Sequence, residues 1–391
     1  MLQSKRRLPG MLPAMSVVIA FLLASCTSTG APLAAASTAP PAAAQVSDAP
    51  AAVAELHDTP PAARPAKPDI RLLRVAMVGD IMLGTDYPEN RLAADDGASL
   101  LAQVAPILRD ADLTIGNLEG VLLDGGKPLK ECSNPRACYL FRSPSRYAQH
   151  LKSAGFDLLS LANNHARDFG EDGRSATMRT LDEHGLLHSG REGEFATLSV
   201  HRLRIAFLAF SVTQESNLVH DYAVAETTIR RFAAQNDIVI VSFHAGAEGG
   251  DVSHVPFAEE QHYGEPRGDV VRFGRLAVDA GADLVFGHGP HVVRAMERYK
   301  ERLIAYSLGN FATYYGINVN GLNGIAPILE ATLDYQGRFV EGRIHSTVQV
   351  RPGGPQPDPA QRALQQIREL SFSDFKNPGL RFAEDGQLLP D

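Results

Sequence analysis

The sequence predicts an α/β protein whose strands are covered on both faces. Apolar runs of strand length recur along the chain and are nearly continuous, which is typical of strands buried between two layers. Helix-like stretches separate several of them, at 174–185 and 270–281, and the second stretch closes on a glycine. The segment 324–350 differs, because it predicts an antiparallel hairpin that turns at Gly337.

The predicted strands are defined by where the apolar runs begin and end. In chain order the runs are 72–80, 111–119, 156–165, 204–211, 237–244, 282–288 and 303–310. Alternation of such runs with helical stretches indicates a layered sheet with helices outside it.

The first 25 residues predict an export signal. A basic start at residues 5–7 precedes the apolar run 15–24, which is too short to span a bilayer because a mature helix needs about 20 apolar residues. The stretch LASC, ending at Cys26, resembles the lipobox of bacterial lipoproteins, in which cleavage before the cysteine frees it to carry lipid. We therefore expect a lipoprotein signal over 1–25 and lipidation of Cys26, with an ordinary secretory signal as the alternative.

Residues 26–70 predict a disordered tether. They are dominated by Ala, Pro, Ser and Thr, a composition that cannot bury enough apolar area to offset chain entropy. Neither a second linker nor an internal repeat follows, so we expect one domain over 71–391. The lipid would hold this domain at the membrane, facing the periplasm. Thr27, rather than Asp, favours the outer membrane where that sorting rule applies.

The net charge excludes one class of partner, and the cysteines predict a disulfide. Removal of the signal takes away three positive charges and moves the formal net charge from −8 to −11. A chain this acidic, without a basic cluster, is a poor nucleic-acid binder. Cys132 and Cys138 frame a short loop, which predicts a disulfide in an oxidising compartment, the alternative being two unpaired thiols.

Five of the predicted strands end in side chains that bind metals. These ends are Asp80, Glu119, Asn164 with His165, His244, and His288 with His291. Pro290 excludes a helix between the last two histidines, so they lie in a loop. Each ending alone is explained by a turn residue or a surface histidine. Ligands in open α/β sheets lie beyond the carboxyl ends of the strands, so five such ends together predict one metal site.

The ligand types narrow the choice of metal. Imidazole, carboxylate and amide donors without thiolate suit Mn, Fe, Zn or Co. Six donors are too many for one tetrahedral zinc and suit two ions about 3.5 to 4 Å apart, with Asp80 or Glu119 as the candidate bridge. Such a pair predicts hydrolysis of a phosphoester or of an amide.

Six sequence blocks point to a known family. They are GDIMLG (79–84), ADLTIGNLEG (111–120), GFDLLSLANNHARDFG (155–170), HAGAE (244–248), GADLVFGHGPHV (281–292) and IAYSLGNF (304–311). With these blocks the chain resembles the capsule-synthesis CapA (PgsA-type) family, a branch of the calcineurin-like metallophosphoesterases. The resemblance implies a four-layer α/β/β/α sandwich of two mixed sheets. It also implies a role in making or exporting poly-γ-glutamate or a related envelope polymer.

The resemblance also assigns roles to residues. The metal ligands that it implies are Asp80, Glu119, Asn164, His244, His288 and His291. Glu119 takes the place of the bridging carboxylate. His165 becomes the acid that protonates the leaving group, and Asp168 either orients that imidazole or caps the helix that follows.

Further polar residues are expected to support this site. Asn117, Asn163 and Glu248 would hold the ligands in place, with Glu248 beside His244. The long polar loop 253–269 would cover the site and supply substrate contacts from His254, His262 or Arg267.

The chain departs from the wider superfamily at its first ligand motif. Asp-x-His is replaced by Asp80-Ile81-Met82, and Ala245 and Gly249 stand where the branch typically has Trp and Tyr.

These features predict a lipid-anchored hydrolase with two divalent ions. Its expected partners are an anionic envelope polymer or phosphorylated precursor and other capsule-synthesis proteins. The alternative is an accessory protein that holds or guides the polymer. A transporter's substrate-binding lipoprotein is a third possibility, but it needs no metal-type cluster.

Overall fold

Two mixed β-sheets form the interior of the protein. The computed structural model describes residues 72–129 and 139–391. The predicted signal peptide, the lipidation site Cys26, the tether and the predicted Cys132–Cys138 disulfide lie outside these residues and stay predictions.

The described strands and helices follow one another in this order. The strands are β1 Leu73–Met82, β2 Leu113–Leu118, β3 Val121–Leu122, β4 Arg142–Ser143, β5 Leu158–Ser160, β6 Leu187–Ser189, β7 Ala196–Val200, β8 Leu203–Ser211, β9 Ile238–His244, β10 Gln261–His262, β11 Glu265–Pro266, β12 Leu284–His288, β13 Met296–Tyr299, β14 Arg302–Ala305, β15 Asn310–Thr313, β16 Ile325–Leu333, β17 Phe339–Gln349, β18 Pro355–Pro357, β19 Leu380–Phe382 and β20 Gln387–Pro390. The α-helices are α1 Ala105–Asp110, α2 Ala148–Ala154, α3 Gly170–Glu183, α4 Tyr222–Ala233, α5 Val270–Asp279 and α6 Arg362–Phe375. Short 3₁₀ turns lie at Ser145–Tyr147, Gly250–Val252 and Gly321–Gly324.

Both sheets combine parallel and antiparallel neighbours. The first has the order β19-β20-β17-β16-β1-β2-β5-β6, with β15 also beside β1 and β18 beside β17, and the second has the order β13-β14-β12-β9-β8-β7. Strands β1, β2, β5 and β6 are parallel, as are β8, β9, β12 and β14. The predicted hairpin is confirmed: β16 and β17 pair antiparallel, and Gly337 lies in the turn with φ 72°.

Three apolar clusters separate four layers. The central cluster joins the facing sides of the two sheets, with Met77 from β1 packed in the same core as Phe207 and Phe286 from β8 and β12. The outer face of the first sheet packs on α1, α2 and α3, and that of the second packs on α4 and α5. The predicted α/β/β/α sandwich of two mixed sheets is therefore confirmed.

One predicted strand is wrong in a way that shapes the site. The run 303–310 is split: the chain leaves the second sheet at Ala305, and β15 begins in the first sheet at Asn310. Gly309 makes the crossing with φ 66°, and its carbonyl accepts a hydrogen bond from the Asp80 backbone at 2.9 Å. A Cβ at Gly79 would lie 1.9 Å from the same carbonyl oxygen, so only glycine allows this approach.

Two further boundaries differ from the prediction. Strand β5 ends at Ser160, so the rest of the run 156–165 is a loop, and α3 begins four residues earlier than 174. In the described part of the chain, no helix combines the length and the apolarity needed to cross a bilayer.

Candidate metal centre

The carboxyl ends of β1, β2, β9 and β12 bring the predicted ligands to one place. Parallel pairing sets His244 at the end of β9 opposite His288 at the end of β12. In the other sheet it sets Asp80 opposite Asn117, and Glu119 follows directly after β2. Because each strand ends at the same edge of its sheet, distant parts of the sequence meet here.

Two groups of ligand atoms form the centre, and both include Asp80. The first group is Asp80, His244 and His288, and the second is Asp80, Glu119 and His291, with the ligand atoms of each group within 4.8 Å of one another. Asp80 is thus the carboxylate common to both groups. Glu119, to which the resemblance gave the bridging place, belongs only to the second group.

The residues present fit divalent cations. Asp80, Glu119, His244 and His288 are completely buried. Within the described residues, both carboxylate oxygens of Glu119 and the Nε2 atoms of His244 and His288 are buried without a hydrogen-bond partner. Each such atom costs about 1–3 kcal/mol unless something compensates for its desolvation. Carboxylate oxygens and imidazole nitrogens are ligands for Mn, Fe or Zn, and cations at both groups would satisfy these atoms.

The loop after β12 presents His291 to the centre. His291 has a left-handed backbone, with φ 60°, and follows Gly289 at φ 112°. Asn310 holds the ring, because its Oδ1 lies 3.0 Å from His291 Nδ1. The Asn310 amide also donates to the His291 carbonyl at 3.1 Å, which fixes the backbone. Nε2 is thereby left facing Glu119 Oε1, at 3.7 Å.

Asn310 is a site residue that the sequence analysis did not assign. Asn310 is the polar residue at the end of a predicted strand, a position that it shares with the predicted ligands. That position was the signal that could have identified it. Its side chain is completely buried and also donates to the carbonyls of Asn318 and Asn323.

The electrostatics of the five clustered groups are strongly perturbed. Burial raises the pKa of Asp80, but the hydrogen bond and charge of His291, the charge of His288 and the hydrogen bond from Asn117 together leave this pKa below its usual value. Burial and the charge of Asp80 raise the pKa of Glu119 well above its usual value. Burial lowers the pKa of His288 to about 4 and that of His244 well below its usual value. Burial also opposes the charge on His291, yet Glu119 and Asp80 raise its pKa to about 10.

His165 and Asp168 form a second unit beside the two ligand groups. His165 Nδ1 lies 2.8 Å from Asp168 Oδ2, and the same oxygen accepts the Phe141 backbone N–H at 2.8 Å. The Phe141 ring packs on the imidazole with centroids 4.3 Å apart. His165 Nε2 then lies 4.0 Å from Glu119 Oε1. Asp168 does not cap α3, whose N-cap position is Phe169, so its side chain serves to orient His165.

A chain of amides connects this unit to the shared ligand. Asn117 Nδ2 donates to Asp80 Oδ1 at 2.9 Å, and Asn163 Nδ2 donates to Asn117 Oδ1 at 3.0 Å. Asn163 Oδ1 accepts the His165 backbone N–H at 3.0 Å. Asn164, the predicted amide ligand, lies half-buried on the same loop.

Glu248 lies elsewhere than expected. It was predicted beside His244, but its Oε2 lies 3.9 Å from His291 Nε2 and 3.5 Å from His262 Nε2. Its Oε1 lies 2.9 Å from Arg267 Nη2. The sequence suggested Glu248 as a partner of His244 because they are close along the chain, whereas the turn after β9 carries it towards the loop that follows β12.

The loop 253–269 contributes two of its three candidate contacts to this region. His262 and Arg267 both border the centre through Glu248. Arg267 is buried, with its Nε donating to the Gly246 carbonyl at 2.9 Å, whereas His254 is turned to Asp374.

Comparisons with known proteins find relatives among capsule biosynthesis proteins. Residues 74–315 match the family described as "Bacterial capsule synthesis protein PGA_cap". The chain is 29% identical over 262 residues to the capsule biosynthesis protein CapA of Bacillus anthracis, covering 61% of this chain and 59% of that protein. It is 30% identical over 248 residues to the PGA biosynthesis protein CapA of Bacillus subtilis, covering 61% and 63%.

A solved structure also aligns with the fold. The 5'-nucleotidase precursor from Thermus thermophilus superposes with a TM-score of 0.40 and 13% sequence identity, covering 76% of this chain and 59% of that one.

The matched segment contains the whole centre. It runs from Arg74 in β1 past His291 and Asn310, while the alignments span less than two thirds of the length of either curated relative. Since the family match covers more than half of the sequence, the chain belongs to the bacterial capsule synthesis protein PGA_cap family.

Proposed function

We propose that the protein is a hydrolase with two divalent metal ions that acts in the biosynthesis or export of an envelope polymer of the poly-γ-glutamate type. The observation that carries the proposal is the pair of buried ligand groups that share Asp80 and contain four atoms without hydrogen bonds. The names of the two Bacillus relatives, which refer to capsule and PGA biosynthesis, support the choice of polymer.

The two ligand groups define which residues hold the ions. His244 and His288 would bind one ion and Glu119 and His291 the other, with Asp80 between them. Asn164 remains the candidate amide ligand. Such ions supply a water of lowered pKa and neutralise negative charge on the scissile group. The donor set suits Mn, Fe or Zn.

His165 supplies the proton that the leaving group needs. In hydrolysis the water oxygen bonds to phosphorus or to the carbonyl carbon while the bond to the leaving oxygen or nitrogen breaks. Asp168 holds Nδ1 of His165, so Nε2 is the atom that hands a proton to the leaving atom. The proton released by the attacking water goes to solvent, and His165 is reprotonated from solvent.

The location follows from the segments before the domain. In this proposal the lipid on Cys26 anchors the protein at the membrane, facing the periplasm, where an anionic polymer or its phosphorylated precursor is handled together with other capsule-synthesis proteins. The acidic net charge gives no attraction to anionic lipid, so the covalent anchor is needed.

His165→Ala tests the hydrolase. Purified protein should hold about two ions per chain by elemental mass spectrometry, in the wild type and in His165→Ala alike. Turnover of a glycerophosphodiester or of poly-γ-glutamate, whose leaving groups need a proton, should fall about 10²- to 10⁴-fold in the variant, the usual contribution of a general acid. Undiminished turnover would remove this role from His165. A wild type that binds no metal after reconstitution would remove the proposal.

A second candidate is an accessory protein that guides the polymer without cleaving it. The observation that favours it is Met82, which stands where Asp-x-His has a histidine and is buried against Phe141 and Ile317. Under this alternative, cells carrying His288→Ala would keep producing polymer although the purified variant has lost about one of its two ions.

A further inference from the structure

Glu248 places a third carboxylate at the rim of the metal centre. Its side chain is 21% exposed, while those of Asp80 and Glu119 are completely buried. Its Oε2 lies between His291 Nε2, at 3.9 Å, and His262 Nε2, at 3.5 Å. Of the three carboxylates, Glu248 is therefore the one that an incoming substrate meets.

Arg267 fixes this carboxylate from behind. The guanidinium lies 2.9 Å from Glu248 Oε1, is 3% exposed, and is itself held by the Gly246 carbonyl. Arg267 is thus engaged by protein groups. Two other arginines are engaged too: Arg294, in the loop after β12, is completely buried against Glu260, and Arg142, in β4, is paired with Asp86.

The charge of the Glu248 carboxylate limits the substrate. Two divalent ions carry four positive charges and Arg267 a fifth, while the carboxylates of Asp80, Glu119 and Glu248 carry three negative ones. The total charge matches that of a phosphomonoester dianion, but such a dianion would place anionic oxygens near the Glu248 carboxylate, which repels them. A phosphodiester monoanion is repelled less, and a neutral amide is not repelled. A carboxylate is also an acceptor only, so it binds N–H and O–H donors.

We infer that Glu248 is a specificity-determining residue that accepts a hydrogen bond from a neutral N–H or O–H donor beside the scissile bond. It thereby selects amides or phosphodiesters and rejects phosphomonoester dianions. This inference rests on the proposed two-metal function and names the substrate class of the same site.

Phosphate binding tests the inference without turnover. Titration calorimetry on metal-loaded protein, with inorganic phosphate at a pH where it is a dianion, compares wild type with Glu248→Gln. The isosteric amide keeps an oxygen for Arg267 but removes the charge, so phosphate should bind about tenfold more tightly. Glu248→Asp keeps the charge and should retain weak binding. Glu341→Gln makes the same charge change at the opposite edge of the sheet, on β17, and should leave binding unaltered.

The outcomes separate this inference from the function on which it rests. Equal phosphate affinity in metal-loaded wild type and Glu248→Gln would overturn the inference and leave the metal centre standing. Absence of metal from the wild type would overturn both.

Turnover of model substrates shows whether the donor that Glu248 binds is the N–H of an amide or the O–H of a phosphodiester. Gamma-glutamyl p-nitroanilide offers an N–H, glycerophosphodiesters offer an O–H, and p-nitrophenyl phosphate is a monoester dianion. In Glu248→Gln, kcat/KM for the monoester should rise and that for the true substrate class should fall, changing their ratio by at least about tenfold. A loss confined to the anilide identifies an amide, and a loss confined to the diester identifies a polyol phosphate. An unchanged ratio would contradict the inference.

Discussion

Two buried charged clusters of the protein differ in how their polar atoms are satisfied. The arginine clamp, Arg294 with Glu260, is closed, in the sense that its charged groups hydrogen-bond to each other. The two guanidinium–carboxylate hydrogen bonds are 2.7 and 2.8 Å long. Arg294 also donates to the Val252 carbonyl, and Glu260 accepts the Ala247 N–H. The metal cluster, the two groups that share Asp80, leaves four buried atoms without partners.

The difference shows which buried charges serve the fold and which serve a ligand. A closed pair satisfies its own desolvation and needs nothing from outside. An open cluster is costly until a cation enters, so its residues are placed for binding rather than for stability. The clamp also serves the cluster, since it ties the loop that follows His244 to the chain just beyond His291.

The largest expected effect concerns the shared ligand. Asp80→Ala should reduce the metal content from about two ions per chain to none, because both groups lose a ligand. His288→Ala removes a ligand from one group and should leave about one ion. Elemental mass spectrometry of the purified variants measures both.

His201→Ala is the matched control for this comparison. His201 is a surface histidine paired with Asp112 and should leave the metal content at its wild-type value. One ion retained by Asp80→Ala would show that Asp80 is not shared.

The next effect contrasts the two clusters directly. Glu260→Ala leaves Arg294 buried without its partner and should cost about 3–5 kcal/mol of the free energy of unfolding. Glu119→Gln, in protein freed of metal, should change it by less than about 1 kcal/mol, because the carboxylate had no hydrogen bond to lose. Urea unfolding in the presence of a chelator measures both. Similar losses in the two variants would mean that the metal cluster also stabilises the fold by itself.

The open cluster was largely predictable from the sequence, and the reason is topological. Parallel strands in a layered α/β protein end at a common edge, so polar residues after apolar runs indicate neighbours in space. The structure brings Asp80, Glu119, His244, His288 and His291 together in this way.

Other features carried a weaker signal or none. Asn310 ends a predicted strand in a polar residue, but the turn at Gly309 that moves the chain between sheets leaves no periodic trace in the run 303–310. The clamp joins Arg294 to Glu260 across two loops, a pairing that no spacing rule indicates. Glu248 was misassigned for the same reason, since the path of its loop decides which histidine it meets.

The smallest effect concerns protons in the open cluster. Glu119 and Asp80 raise the pKa of His291 to about 10, so the metal-free imidazole is protonated at neutral pH. An ion that binds His291 must displace this proton. Metal affinity should therefore increase about tenfold per pH unit for each proton released, until the pH approaches 10. Titration calorimetry in two buffers of different ionisation enthalpy counts the protons.

The origin of the released proton decides between His291 and its neighbour. In His291→Gln the slope of affinity against pH should fall by about one proton, because glutamine carries none to release. An unchanged slope would indicate that the released proton comes from Glu119, whose pKa is raised by burial and by the charge of Asp80. Glu119→Gln would then flatten the slope instead. Either result keeps the contrast with the clamp, because only a cluster built to receive a cation must give up a proton to bind it.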